Sequence, residues 1–238
     1  MKAMILAAGK GSRLGNIGKD TPKVLLDING TTVLERILMK LSEHGFNDII
    51  INVHHLAERI INVANDYQNK LKVKITISDE TGELLETGGG LYKAKDFFGD
   101  EPFLVYNGDI LTNLDLTKMY DYHIRKGALA TIALRNREGT RAFLVDDNGV
   151  IRGWTNRKSG VDIITIEKPM NLSEIPSMAI SVYDPGIFDY MEEGKYTMTS
   201  IVLKATASGR VIAFRYDRGY WMDIGTSDQL KKARESLE

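Results

Sequence analysis

Through the first half of the chain, short apolar runs alternate with stretches of helical periodicity. This is the pattern of parallel strands covered on both faces by helices. Residues 3–7 read as a first buried strand. Over 32–44, Val33, Ile37, Leu38 and Leu41 fall on one helical face, with Gly45 as the stop. The run 49–53 is again continuously apolar, 56–66 reads as a helix, and Val73, Ile75 and Ile77 alternate within a strand at 72–77. A helix at 89–97, a strand at 103–106, a helix at 115–125 stopped by Gly127, and a strand at 128–134 complete the series.

The pattern then changes. Short strand-like pieces at 143–145, 150–154, 163–166 and 179–183 are separated by turns such as Asp147-Asn148-Gly149, which predicts hairpins and an antiparallel extension. Helices at 197–208 and 227–237 flank a strand at 211–216. The predicted fold class is α/β: a mixed, mostly parallel sheet flanked by helices, with a small antiparallel extension in the second half. No repeat or Pro/Ser linker divides the chain, so residues 1–238 read as one domain.

Composition narrows the function. The 238 residues carry a net charge of −1, which excludes holding nucleic acid or an anionic membrane by bulk charge. Without cysteine there is no disulfide, thiolate zinc site or Cys nucleophile. The apolar run after Lys2 spans six residues, Ala3 to Ala8, short of a secretion signal or membrane span; the expectation is a cytoplasmic protein. The 22 glycines are unevenly placed: Gly9, Gly11, Gly15 and Gly18 crowd one segment, and Gly88, Gly89 and Gly90 are consecutive.

The segment from Leu6 to Lys23, LAAGKGSRLGNIGKDTPK, follows the first strand. Open α/β sheets bind ligands at that end, and amides in a glycine-rich turn can face phosphate oxygens. A dinucleotide fingerprint does not fit, since the third glycine comes one residue late and the second strand ends in His54-His55 where a ribose-binding acid is wanted. A P-loop is absent. A triphosphate loop supplemented by cations fits better: Lys10, Arg13, Lys19 and Lys23 against Asp20 give this segment a local charge of +3.

Two acids stand in comparable places. Val105-Tyr106-Asn107-Gly108-Asp109 is a buried strand ending in Gly-Asp, and Asp223 lies in Tyr220-Trp221-Met222-Asp223-Ile224-Gly225-Thr226 just before a helix. As a pair they suit Mg²⁺, which takes one or two carboxylates and fills its octahedron with phosphate and water. Asp115 reads as a helix cap instead. His44 and His123 lie near helix ends, where the dipole favours a cation; no histidine shows metal-ligand spacing.

LAAGKGSRL followed by Pro22-Lys23 resembles the signature of the sugar-phosphate nucleotidyltransferases. The resemblance implies the nucleotide-diphospho-sugar transferase type of fold, with a Rossmann-like nucleotide-binding half at 1–135 and a sugar-phosphate-binding half at 136–238. It assigns Leu6, Ala8, Gly9, Gly11 and Ser12 to the nucleotide, and Arg13 and Lys23 to its triphosphate as catalytic cations. The loop GNIGKD departs from the family's commoner form. Leu85-Glu86-Thr87-Gly88-Gly89-Gly90 is similar in particular to the N-acetylmuramate-1-phosphate uridylyltransferases and implies base and ribose contacts from Glu86, Thr87, Gly88 and Gly89, with Glu83 the rival acid; tight helix packing is the alternative reason for the glycines. Asn107 and Gly108 join the nucleotide set. The G-D and W-x-D-x-G-T elements imply that Asp109 and Asp223 hold the catalytic metal. Lys168, in Glu167-Lys168-Pro169, resembles the family's ligand for the sugar phosphate, and the turn around Trp154 and Asn156 is a second candidate for the sugar site.

These parts imply transfer of a nucleotide, with uridine as the leading base, from a nucleoside triphosphate to a sugar 1-phosphate with Mg²⁺. The partners are those two substrates, not nucleic acid or membrane, and a monomer is expected. The alternatives are a guanylyl- or cytidylyltransferase on another sugar or polyol phosphate, a non-catalytic nucleotide-binding regulator, and an NAD-dependent dehydrogenase.

Overall fold

The computed structural model describes residues 1–165 and 171–237. In chain order the elements are β1 (Lys2–Leu6), α1 (Asn16–Asp20), β2 (Asp27–Ile28), β3 (Thr31–Thr32), α2 (Val33–Glu43), β4 (Asp48–Val53), α3 (Ala57–Leu71) and β5 (Lys74–Asp79). Then follow α4 (Glu86–Lys93), α5 (Lys95–Phe98), β6 (Phe103–Asn107), β7 (Ile110–Thr112), α6 (Leu116–Lys126) and β8 (Ala130–Leu134). The second half adds β9 (Arg141–Val145), β10 (Ile151–Asn156), β11 (Val161–Ile164), β12 (Ser173–Ile175), β13 (Ser177–Tyr183), α7 (Met198–Ala205), β14 (Val211–Arg215), β15 (Trp221–Asp223) and α8 (Ser227–Ser236).

Seven strands form the main sheet in the order β14-β8-β13-β6-β1-β4-β5, parallel except for β13. Alternating residues feed two apolar layers. Ala3, Ile5, Ile49, Ile51, Leu104 and Tyr106 pack with α2 and α3 on one face, while Met4, Ile50, Phe103 and Val105 pack with α4, α5 and α7 on the other. Burial on both faces explains why these strands read as unbroken apolar runs. Each Ile, Leu, Met, Val or Phe among them contributes about 1.5–3 kcal/mol when fully buried. Helix α2 begins with a capping box: Thr32 Oγ1 accepts from the Glu35 amide, and Glu35 Oε2 accepts from the Thr32 amide.

The structure corrects several expected elements. The strand assigned to the antiparallel extension at 179–183 belongs to the main sheet as β13, because Met178, Ile180 and Val182 feed one apolar layer and Tyr183 the other. The extension is β11-β10-β9-β12. The helix expected over 89–97 begins at Glu86 and breaks at Ala94 into α4 and α5. Helix α3 runs on to Leu71, where Lys72 takes a left-handed conformation (φ 55°), so β5 starts later than expected. Patterning did not indicate the antiparallel ribbon β7·β15, three residues on each strand.

Histidine is also corrected. His123 is buried, with Nδ1 2.9 Å from Thr131 Oγ1, and burial pushes its pKa down to about 4. Burial, with Lys40 as a lesser cause, lowers His44 too. At both, desolvation is the largest influence and disfavours the charged form. Because His123 in the folded chain holds its proton less tightly than in the unfolded chain, acidification favours unfolding. The contribution is complete above pH 6.5 and is lost as pH falls towards 4, about 3 kcal/mol over the window. Urea unfolding is expected to show a steeper loss of stability from pH 6.5 to 5 for the native chain than for His123→Gln; parallel profiles would refute this.

Candidate active site

The carboxyl ends of β1, β4 and β6 lie level, with Leu6 paired to Asn52 and to Asn107. The chain leaves β1 through Ala7 and Ala8 into the glycine segment, where Gly11 turns with φ 64°. Two cavities open over this edge. The smaller, about 170 Å³, is lined by Leu6, Ala8, Gly9, Lys23, Glu86, Thr87, Asn107, Gly108 and Asp109 among others. The larger, about 440 Å³, is lined by Arg13, Trp154, Ser177, Ser181, Tyr183 and Asp223 among others. Leu6, Thr87 and Asn107 line both, so the two share a wall.

The charged cluster stands at their junction. Lys23 Nζ pairs directly with Asp109 Oδ2 and lies 3.7 Å from Asp223 Oδ1. The side chain of Lys23 is 11% exposed and those of the two acids 23% and 25%, so the cation is largely covered while both acids keep part of their surface in contact with water. Backbone bonds hold the acids: the Ile224 amide donates to the Asp109 carbonyl at 3.0 Å, and the Gly225 amide donates to Asp223 Oδ1 at 2.6 Å. Gly225 leaves room for the group. A Cβ there would lie 2.8 Å from Asp223 Oδ1, 2.9 Å from Arg13 Nη2 and 3.1 Å from Lys23 Nζ.

The donor set fits a hard divalent cation. Two carboxylates converge on the Lys23 ammonium beside a cavity, and hard oxygen donors in that number suit a cation that completes its shell from substrate and water; among the described residues no group of three or more His, Cys, Asp and Glu could hold a metal unaided. A cation such as Mg²⁺ would thus take Asp109 and Asp223 from the protein, with other ligands from substrate oxygens and water.

Other expected site residues separate. Glu86 lines the smaller cavity, in a left-handed conformation (φ 63°) rare outside glycine, whereas Glu83 faces a different cavity. Gly88 and Gly89 line neither of the two site cavities; both amides donate to the Tyr196 carbonyl, and a Cβ on Gly89 would collide with the Gly194 carbonyl oxygen. Tight packing, the alternative reason for glycine here, is thus present at both. Gly11 and Ser12 lie in the loop outside both linings, and Asn156 caps the β10–β11 turn by accepting from the Lys158 amide at 3.2 Å. Lys168, with Glu167 and Pro169, lies outside the described residues. Asp115 caps α6, accepting from the Lys118 amide at 2.9 Å.

Two residues of the site cavities, Asn52 and Arg137, and the buried acid Glu80 that holds Asn52 escaped the sequence reading. Asn52 and Glu80 are buried, and Glu80 accepts from Asn52 Nδ2 at 2.7 Å and from the Leu85 amide at 3.1 Å. Asn52 Oδ1 accepts in turn from the Ala7 amide at 2.7 Å, tying the base of the glycine segment to the segment before α4. An Asn in an otherwise apolar strand was the available signal. Arg137, in the larger cavity, carried none, because it falls between the expected strands at 128–134 and 143–145, in a stretch without pattern or motif.

The family model described as nucleotidyl transferase matches residues 2–238. The chain is 32% identical over 241 residues to N-acetylmuramate alpha-1-phosphate uridylyltransferase of Neisseria meningitidis serogroup B, covering 98% of this chain and 97% of that protein. It is 34% identical to UTP–glucose-1-phosphate uridylyltransferase of Synechocystis sp., covering 94% of this chain and 60% of that longer protein. The solved structure of HddC from Yersinia pseudotuberculosis complexed with GMP-PN superposes with a TM-score of 0.78 at 23% identity, over 100% of this chain and 99% of that one, a likeness of fold.

Proposed function

The chain belongs to the nucleotidyl transferase family, and on that premise we propose that it joins UTP to a sugar 1-phosphate, giving a nucleotide-sugar and pyrophosphate. It is a sugar-1-phosphate nucleotidyltransferase; the choice of base and the metal-assisted mechanism are the proposal. The observation that carries it is Lys23 set between Asp109 and Asp223 where two cavities share a wall. Uridine is favoured by the names of the Neisseria and Synechocystis relatives. The smaller cavity takes the nucleoside, bounded by Ala8, Gly9, Glu86 and Thr87, the triphosphate lies at the junction with Arg13 and Lys23, and the larger cavity takes the sugar, beside Trp154. On this reading the first half supplies most nucleotide contacts and the second half most sugar contacts.

The chemistry needs little from the protein beyond placement. A phosphomonoester has a second pKa of about 6, so the sugar 1-phosphate reaches pH 7 mainly as a dianion and needs no general base. Its oxygen attacks the α-phosphorus in line; the new P–O bond forms as the bond to the β-phosphate oxygen breaks, and pyrophosphate leaves with that electron pair. Arg13 and Lys23 offset the charge on the leaving group, and the Gly9 backbone lets the triphosphate approach. Asp109 and Asp223 would hold a Mg²⁺ ion, which when bound supplies charge neutralisation at the phosphate oxygens. No helix among the described residues is long and apolar enough to cross a membrane; a cytoplasmic monomer acting without nucleic acid completes the proposal.

Pyrophosphate release with each of four nucleoside triphosphates, against a panel of sugar 1-phosphates and with or without Mg²⁺, tests the reading. Release that needs Mg²⁺ and is fastest with UTP is expected. A preference for GTP or CTP would replace the uridylyl assignment. No release above an Asp109→Ala, Asp223→Ala control would defeat the enzymatic reading, and NADH binding without triphosphate binding would favour the dehydrogenase.

A further inference from the structure

Arg137 lies in the loop between β8 and β9 and lines the larger cavity with Arg13 and Asp223. Its guanidinium is fixed on several sides. Nη1 donates to the Glu138 carbonyl and Nη2 to the Ser177 carbonyl, each at 2.9 Å, and the group stacks on the Trp221 ring at 4.3 Å from its centroid. Trp221 is itself tied down, Nε1 donating to the Met178 carbonyl at 2.9 Å.

This anchoring satisfies only part of the group. A guanidinium carries five N–H donors and keeps its charge in proteins. Both bonds go to neutral carbonyls, and Arg137 has no ion pair among the described residues; its Nε is buried without an acceptor, so contact with a ligand falls to the N–H groups left on Nη1 and Nη2. A half-buried cation without a paired anion is costly, which is explicable if the anion arrives with a ligand. Asp223 is near enough to favour the charged form, although burial is the larger influence and acts the other way.

The position is also suited to the reaction. Asp223 is 3.7 Å from Lys23 and shares β15 with Trp221, on which Arg137 stacks. A phosphate held by Arg137 would enter from the sugar cavity, while Arg13 and Lys23 serve the leaving pyrophosphate. Two anions must be brought together, and the incoming one needs its own fixed cation.

We propose that Arg137 binds the phosphate of the sugar 1-phosphate, presenting the remaining N–H groups of Nη1 and Nη2 to the oxygens of the attacking dianion. The assignment rests on the function proposed above. Removing a hydrogen bond to a charged group corresponds to about a 10- to 100-fold loss of affinity.

Arg137→Gln and Arg137→Lys distinguish a phosphate ligand from a structural clamp on Trp221. Initial rates are measured with sugar 1-phosphate varied at saturating nucleoside triphosphate, then the reverse, with thermal unfolding as a check on folding. Arg137→Gln is expected to raise the KM for sugar 1-phosphate about 10- to 100-fold and to leave the KM for the triphosphate within about twofold. Arg137→Lys, which keeps the charge without the fork, is expected to fall between. An unchanged KM for sugar 1-phosphate, or an equal rise in both KM values, would overturn the assignment. If Arg137→Gln does not fold, the same comparison on Arg137→Lys decides it. An inactive native chain would instead sink the proposed function.

Discussion

Asp109→Asn and Asp223→Asn are each expected to lower the maximal rate of pyrophosphate release about 10²- to 10³-fold, the usual cost of removing one preorganised charge-stabilising group. Asparagine keeps the shape of aspartate. At Asp223 it can still accept from the Gly225 amide through its carbonyl oxygen, so the backbone around β15 is retained. What is lost is the negative charge that pairs with Lys23 and would hold a divalent cation. Both carboxylates are about a quarter exposed, so water compensates part of the lost pairing and the change in fold stability is small. Rates should therefore fall while the thermal midpoint stays near that of the native chain. Activity within about twofold of native for both variants would remove these acids from the mechanism.

The second large effect concerns stability and separates glycines that look alike in sequence. Gly89→Ala is expected to destabilise the fold by about 1–3 kcal/mol, as overpacking does. Alanine is the better helix former by roughly 0.5–1 kcal/mol, but the added methyl would meet the Gly194 carbonyl oxygen, with Leu85 Cβ a further 3.1 Å neighbour. Backbone cannot swing aside as a side chain can. Gly9→Ala has open space around its Cβ, so its thermal midpoint should hold while the KM for the nucleoside triphosphate rises. Thermal unfolding and steady-state kinetics on the two variants check the contrast. Equal stability of Gly89→Ala and the native chain would refute it.

Much of the architecture was legible in the chain. Strands β1, β4 and β6 announce themselves because a sheet buried on both faces demands apolar side chains at every position. The ribbon β7·β15 does not, since three-residue strands are too short for a period, and β13 looked like a hairpin strand because sequence gives no partner. At the site, the order of glycines and cations before Lys23 pointed to phosphate, and the ends of β6 and β15 pointed to a paired acid. The glycines of α4 admit two readings for a physical reason: close approach of a ligand and close approach of the 194–196 backbone select the same residue. Arg137 stayed hidden because its setting depends on Ser177 and Trp221, 40 and 84 positions away.

The central claim is direct, in-line transfer of a nucleotide between two bound anions, with the protein supplying placement and charge but no nucleophile. The stereochemical course at the α-phosphorus tests it most directly, using a nucleoside α-thiotriphosphate of known configuration and a sugar 1-phosphate. A single displacement gives a nucleotide-sugar with inverted configuration at phosphorus. Retention would contradict the account, because it requires two displacements through a nucleotidylated protein side chain.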